Sequence, residues 1–362
     1  MSPVIAEERI AFTMPSTGFT ATRHAPSAPT RRRLLTTSAG SVAGVGLAGL
    51  LAACGSSSEA GASGASSAAS GAWSFTDDRG VTVKLAARPK RIAFLTDTVT
   101  AALWAAGLHP VAAFVGNPSI AGSVGLTLSK QGIVQIGGAD FELNLEALVG
   151  AEPDLLVDAL QPDGTLQTAS QNAQVKQIAP IVGINMYKPI EHIVASAENL
   201  TKAVGDELAD ASAKASYQAA AEKLRAAAKA NPGVRVGFVF DISETELGVM
   251  NQKTWPVLQT VAALGVRLVS VSQSSDNTYS EGVSWEKVPR IPADLLVWSV
   301  NDPLPTNLVW AKVPAVAAGQ LWKPDLASWY AYSYANFGTL LDGLATHMAS
   351  ARTGVGPTGS LS

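Results

Sequence analysis

The sequence predicts an α/β protein in which two units, each built on a parallel sheet, are joined by one long helix. Short apolar runs alternate with helical segments from Arg91 to Ile184 and again from Arg235 to Met348. Strands that are apolar on both faces belong to parallel sheets covered by helices. Between the two series lies Asp206 to Asn231. Its acidic Asp206, Glu207 and Asp210 come early, and its basic Lys223, Arg225 and Lys229 come late. That charge order complements a helix dipole, and Pro232-Gly233 ends the segment. A helix of these 26 residues would span roughly 39 Å, enough to bridge two units.

The elements follow in order. Trp73 to Thr76 and Val81 to Val83 flank the polar turn Asp77-Asp78-Arg79-Gly80 and read as a β-hairpin. Ile92 to Leu95 is the first apolar strand, and a helix from Val99 to Ala106 stops at Gly107. Val111 to Val115 and Ile133 to Ile136 are strands, and Asn144 caps a helix through Val149. Leu155 to Val157 is a strand, Leu166 to Gln177 a helix and Ile181 to Ile184 a strand, with a further helix ending at Gly205. In the second unit, Arg235 to Phe240, Val266 to Val271 and Leu295 to Trp298 read as strands, and Leu321-Trp322 as a short edge strand. Thr254 to Leu264 and Tyr334 to Met348 read as helices, and Trp285 to Val288 as one helical turn.

Ahead of these units the chain reads as an export signal. Thr30-Arg31-Arg32-Arg33-Leu34-Leu35 is a twin-arginine sequence. An apolar stretch with small residues follows it and ends in Leu51-Ala52-Ala53-Cys54, where Cys54 is the one cysteine of the chain. A basic segment, an apolar segment, small residues and a cysteine together predict cleavage before Cys54 and lipidation of that residue. The alternative is a transmembrane anchor, because Leu34 to Ala53 is just long enough to span a bilayer, but its Thr, Ser and Gly content speaks against it. Glu7 and Glu8 are unusual in such a leader, which points to Met14 as an alternative start. Gly55 to Gly71 is Gly/Ser/Ala with one charge and reads as a flexible tether. The expected organisation is therefore 1–53 signal, 54–72 tether, 73–205 first lobe, 206–231 connecting helix, 232–352 second lobe and 353–362 tail.

Composition narrows the function. The chain carries a net charge of −3, and five arginines but only two glutamates precede Cys54, so the remainder is more acidic still. With no basic patch, nucleic acid is not an expected partner. No nucleophile elbow or metallohydrolase motif is present. His109, His192 and His347 are scattered and without a companion ligand nearby in sequence, so no bare metal site is expected.

Several segments carry a family resemblance. Arg88-Pro89-Lys90-Arg91-Ile92 leads the first strand, and Leu103-Trp104-Ala105-Ala106-Gly107-Leu108-His109-Pro110-Val111 resembles LxALGxxPV, with Ala106 in place of the leucine. Asn144-Leu145-Glu146-Ala147-Leu148 through Pro153-Asp154-Leu155-Leu156 is similar to NLExLxxLxPDLI, and Ser284-Trp285-Glu286 through Asp294-Leu295-Leu296 is its counterpart in the second unit. Val313-Pro314-Ala315-Val316 with Gly319-Gln320-Leu321-Trp322 completes the set. From Val81 to about Met348 the chain resembles the class III periplasmic-binding proteins, the siderophore, haem and cobalamin receptors of ABC importers. The resemblance implies two Rossmann-like lobes, a single connecting helix and a ligand held between the lobes. It also implies one exposed carboxylate per lobe that docks on a membrane permease, here Glu146 and Glu286. It implies a monomeric, lipid-anchored protein on the outer side of the cell membrane, with no cofactor of its own.

Ligands of parallel sheets bind beyond the carboxyl ends of the strands. In the first lobe this rule selects Asp97, Asn117 and Phe141, and also points to Asp158 and to Asn185 through Tyr187. In the second it selects Trp298 and Asp241. Trp329-Tyr330-Ala331-Tyr332-Ser333-Tyr334 holds four aromatic residues in six, in a chain that is 6% aromatic. Such density predicts a ligand wall of Trp329, Tyr330 and Tyr332, against the alternative that Trp329 and Tyr332 pack beneath the last helix. An aromatic, mildly acidic cleft with few basic strand ends favours a neutral or cationic chelate, such as a hydroxamate or mixed-type ferric siderophore. Haem or cobalamin is the alternative ligand. An exported, lipid-anchored enzyme is the alternative of another class.

Overall fold

The computed structural model describes residues 71–209, 212–269, 279–299, 303–325, 329 and 332–359. The expected export segment with Cys54, and Tyr330 of the aromatic run, lie outside the described residues.

The first lobe is built on a five-stranded parallel sheet. Its strands are β3 (Ile92–Phe94), β4 (Ala112–Ala113), β5 (Val134–Gln135), β6 (Leu155–Ala159) and β7 (Ile181–Ile184), in the order β5-β4-β3-β6-β7. Both faces of β3, β6 and β7 are buried, as their unbroken apolar runs require. β3 is central, so the chain turns to one side of it and then to the other, which makes the space beyond its carboxyl end the natural crevice. A hairpin of β1 (Trp73–Thr76) and β2 (Thr82–Leu85) is pinned to the far edge of this sheet. The buried Asp77 carboxylate accepts the Gly183 N–H at 2.8 Å, and Asp78 accepts the Asn185 N–H at 2.7 Å.

Short signals fix the helices. In α1 (Asp97–Ala106), Thr96 caps the Val99 N–H and Gly107 closes the far end in the left-handed conformation. α2 (Pro118–Ser123) and α3 (Leu128–Gln131) precede β5. In α4 (Leu145–Gly150) the Asn144 side chain accepts the Ala147 N–H at 2.9 Å, as its position predicts. The helix expected from Leu166 to Gln177 breaks at Asn172 into α5 (Gln167–Gln171) and a 3-10 turn, because the Asn172 side chain caps the second piece through the Gln174 N–H.

Two helices reach both lobes. α6 (Ile190–Val204) starts against the second lobe, where its Ile190 N–H donates to Thr260 Oγ1 at 3.2 Å, and ends where Trp73 Nε1 donates to the Ala203 carbonyl. α7 (Ser212–Ala230) returns: Ala209, just before it, donates to the Ala106 carbonyl of the first lobe, and Ala228 near its end lies beside Gly265 of the second. α7 is the expected connecting helix. It is shorter than the 206–231 span read from sequence, at 19 residues or about 29 Å. Asp206 to Ala209 are non-helical because that Ala209–Ala106 hydrogen bond draws them onto the end of α1.

The second lobe departs from a purely parallel sheet. β8 (Arg235–Asp241) pairs in parallel with β10 (Arg267–Leu268) and β12 (Leu295–Trp298), and β12 with β13 (Leu321–Trp322). β9 (Glu246–Met250) folds back antiparallel on the end of β8, and β11 (Ser280–Ser284) pairs antiparallel with β9. Neither strand is legible from apolar runs, since both carry a central glycine, β9 starts at Glu246 and β11 has serine at both ends. α8 (Pro256–Ala263) opens with proline at its first position, where the missing N–H costs nothing. α9 (Pro314–Ala317) and α10 (Tyr334–Ser350) complete the lobe, and α10 packs along α7. Lys223 Nζ bonds Asp342 Oδ1 across that pair at 2.7 Å.

Candidate functional site

Three of the residues predicted from strand ends meet at the carboxyl end of the first sheet. Asp97 opens α1, directly after β3. Its Oδ1 accepts the N–H groups of Gly116 at 2.8 Å and Asn117 at 3.2 Å, both beyond the end of β4. Asn117 uses its own side-chain oxygen to cap α2 through the Ser119 N–H. Phe141 lies across this junction. A Cβ on Gly116 would stand 2.8 Å from the Phe141 ring and 3.1 Å from Asp97 Oδ2, so only glycine lets the ring and the carboxylate share this place.

Phe141 is held there by its loop. The segment after β5 closes on itself through a bridge between Gly137 and Leu143, and the Phe141 N–H donates to the Gly138 carbonyl at 2.9 Å. Phe141 takes a φ of 59°, the left-handed region. Such a conformation costs on the order of 1–3 kcal/mol and persists where surrounding structure enforces it. The residue remains 42% exposed, with the buried Phe114 at a ring-centroid distance of 6.5 Å. A strained, exposed aromatic over a half-buried carboxylate is not what core packing alone selects.

Electrostatics mark the same point. Burial raises the Asp97 carboxyl from 3.8 to about 6, and the two backbone N–H groups only partly counter it. The Asp158 carboxyl at the end of β6 is also pushed up by burial. Its oxygens are taken by the Thr168 and Ala169 N–H groups, so its role is to cap α5.

A second cluster joins the lobes. Tyr187 after β7 and Tyr279 before β11 place their hydroxyls 3.2 Å apart, and Tyr279 Oη also approaches Gln161 Oε1 at 3.5 Å. Trp255 Nε1 donates to the Tyr279 carbonyl at 2.8 Å, and Gln259 to the Tyr187 carbonyl at 2.9 Å. Burial, then the charge and hydrogen bond of Tyr279, push the Tyr187 phenol well above its ordinary value. Tyr332 adds to that shift, which brings it within electrostatic reach of Tyr187. The strand-end rule reaches Tyr187. Tyr279 escapes it because it begins an antiparallel strand that no parallel pattern reveals.

The aromatic wall predicted in the second lobe takes a different form. Trp298 is fully buried and meets Trp310 edge-on at 5.5 Å. Trp329 is buried against Phe238 at 5.2 Å, and Tyr332 is buried and stacked on Phe337 at 5.8 Å. These three side chains are covered by their own lobe, whereas Phe141 is exposed and Asp97 half-buried. Glu146, in the first turn of α4, and Glu286, in the turn after β11, are both exposed.

Comparison with known proteins agrees with this architecture. A family model described as periplasmic binding protein matches residues 99–324. No curated protein sequence matches the chain. Among solved structures, DesE, a ferric-siderophore receptor protein from Streptomyces coelicolor, is 29% identical, with 78% of this chain and 99% of that one covered and a TM-score of 0.67. The siderophore periplasmic binding protein from the fuscachelin gene cluster of Thermobifida fusca is 21% identical over 72% of this chain and 97% of that one, with a TM-score of 0.56. FhuD2 from Staphylococcus aureus, with bound ferrioxamine B, is 20% identical over 72% and 98%, with a TM-score of 0.53. These last two likenesses concern the fold.

Proposed function

Because the chain belongs to the periplasmic binding protein family, a family of substrate-binding transport proteins and not of enzymes, we propose that it captures a ferric siderophore between its two lobes and delivers it to a membrane permease. The observation that carries this reading is the Asp97–Phe141 junction at the carboxyl end of the central strand. It offers an aromatic surface for the organic shell of a chelate and an acceptor at its rim. The 29% identity with a ferric-siderophore receptor supports the same ligand class.

Haem is the main alternative ligand, and its iron would need a protein donor. Burial pushes the phenols of Tyr187 and Tyr332 above their ordinary value, which works against the phenolate that iron ligation would need. Titrating tryptophan fluorescence with ferric siderophores, haem and cobalamin tests the proposal. Quenching at micromolar or lower concentration by a ferric siderophore is expected. A response to haem or cobalamin alone would move the protein to another branch of the family.

Delivery is assigned to Glu146 and Glu286, one exposed carboxylate on each lobe. Replacing both with lysine is expected to abolish uptake and to leave ligand affinity nearly unchanged, because charges at the rim of a docking surface act on the partner. Parallel losses of affinity and uptake would remove that assignment. We place the protein outside the cytoplasm as a monomer anchored through lipid on Cys54. No helix among the described residues is long and apolar enough to cross a membrane.

A further inference from the structure

Resting on the siderophore reading, we propose that the chelate carries a protonated amine and that Asp97 receives it beneath the Phe141 ring. The two oxygens of Asp97 are not equivalent. Oδ1 is occupied by the Gly116 and Asn117 N–H groups. Oδ2, beside Gly116 and the Phe141 ring, has no hydrogen-bond or ion-pair partner among the described residues. An asparagine would serve the two backbone N–H groups equally well and bury no charge. What a carboxylate adds is a negative charge, with Oδ2 close to the place the ring occupies beside Gly116.

The surroundings suit a cation from the ligand. No lysine, arginine or histidine is paired with Asp97 among the described residues. The α1 N-terminus favours the carboxylate through the helix dipole, but it supplies no donor to Oδ2. An ammonium placed at Oδ2 would gain a charge-assisted hydrogen bond and lie against the aromatic ring, and both contacts favour a cation. Asp140 and Glu142, in the loop that carries Phe141, add exposed negative charge nearby. An anionic chelate meets the opposite field.

The test compares two ligands that differ in one charge: ferrioxamine B, a linear trishydroxamate with a free terminal ammonium, and its N-acetylated form. Dissociation constants are read by tryptophan fluorescence for the wild type and for Asp97→Asn. The expected result is that ferrioxamine B binds the wild type at least about tenfold more tightly than the acetylated form, the usual scale of one charge-assisted contact. Asp97→Asn is expected to remove that gap by weakening ferrioxamine B alone. Equal binding of the two forms by the wild type overturns the inference and leaves the siderophore reading intact. So does binding of an anionic ferric catecholate in preference to both. If no ferric chelate binds and haem or cobalamin does, both readings fall together. The wild-type comparison needs no variant and stands even if the substituted protein is poorly folded.

Discussion

The two lobes use their aromatic residues in opposite ways. The first is sparing with them and displays Phe141 in a strained, exposed loop at the end of a fully parallel sheet. The second is rich in them and hides Trp298 and Trp329 in its interior. In the first lobe a costly conformation stands exposed beside a costly, half-buried charge. In the second, the aromatic area stabilises the lobe itself. Density of aromatic residues in sequence does not by itself separate a ligand wall from a packed interior, since Trp298 and Trp329 are both buried.

The contrast is broken most forcefully at Trp298. Trp298→Ala empties a fully buried site against Trp310 and is expected to lower stability by about 3–5 kcal/mol, visible as a fall in melting temperature. Trp329→Ala belongs to the same class, so any loss of binding it causes should follow loss of folding. An unchanged melting temperature with weakened binding would return these tryptophans to the role of a ligand wall.

Phe141 is expected to behave in the reverse manner. Phe141→Ala removes an exposed ring, so stability should change little. Affinity should fall on the order of 2 kcal/mol, roughly 30-fold, as for an aromatic anchor at a binding surface. Titration and thermal melting of the same sample separate the two effects. A large fall in melting temperature with unchanged affinity would make Phe141 a packing residue.

Much of the first lobe is legible in the sequence because its signals are local. Thr96, Asn144, Gly107 and Gly205 mark helix ends through bonds within a few residues. Strand-end positions follow from these, and so Asp97, Asn117 and Phe141 emerge together. What the sequence conceals depends on distant partners. β9 and β11 are strands because β9 pairs with β8 and β11 with β9, and Gly248 faces Gly282 in the second pairing. Tyr279 reaches Tyr187 only through that hairpin. The burial of Trp298 depends on Trp310, which arrives from a separate turn. The left-handed φ of Phe141 has no sequence signature, since glycine or asparagine is the usual occupant.

The smallest expected effect tests the electrostatic half of the comparison, without ligand. Burial raises the Asp97 carboxyl from 3.8 to about 6. Between those values the folded protein holds this proton more tightly than the unfolded chain does. Stability contributed by this group is therefore highest at low pH and declines as pH rises through 4 to 6. Above that window the ionised carboxylate is a constant liability. The full shift corresponds to about 3 kcal/mol, and water around a half-buried group reduces it to about 1–2 kcal/mol. Asparagine keeps the Oδ1 acceptor for Gly116 and Asn117 and carries no charge. Asp97→Asn should thus melt at a higher temperature than the wild type at pH 7.5, and the difference should vanish near pH 4. If the variant melts lower at pH 7.5, Asp97 stabilises the fold, and its charge is not held in reserve for a ligand.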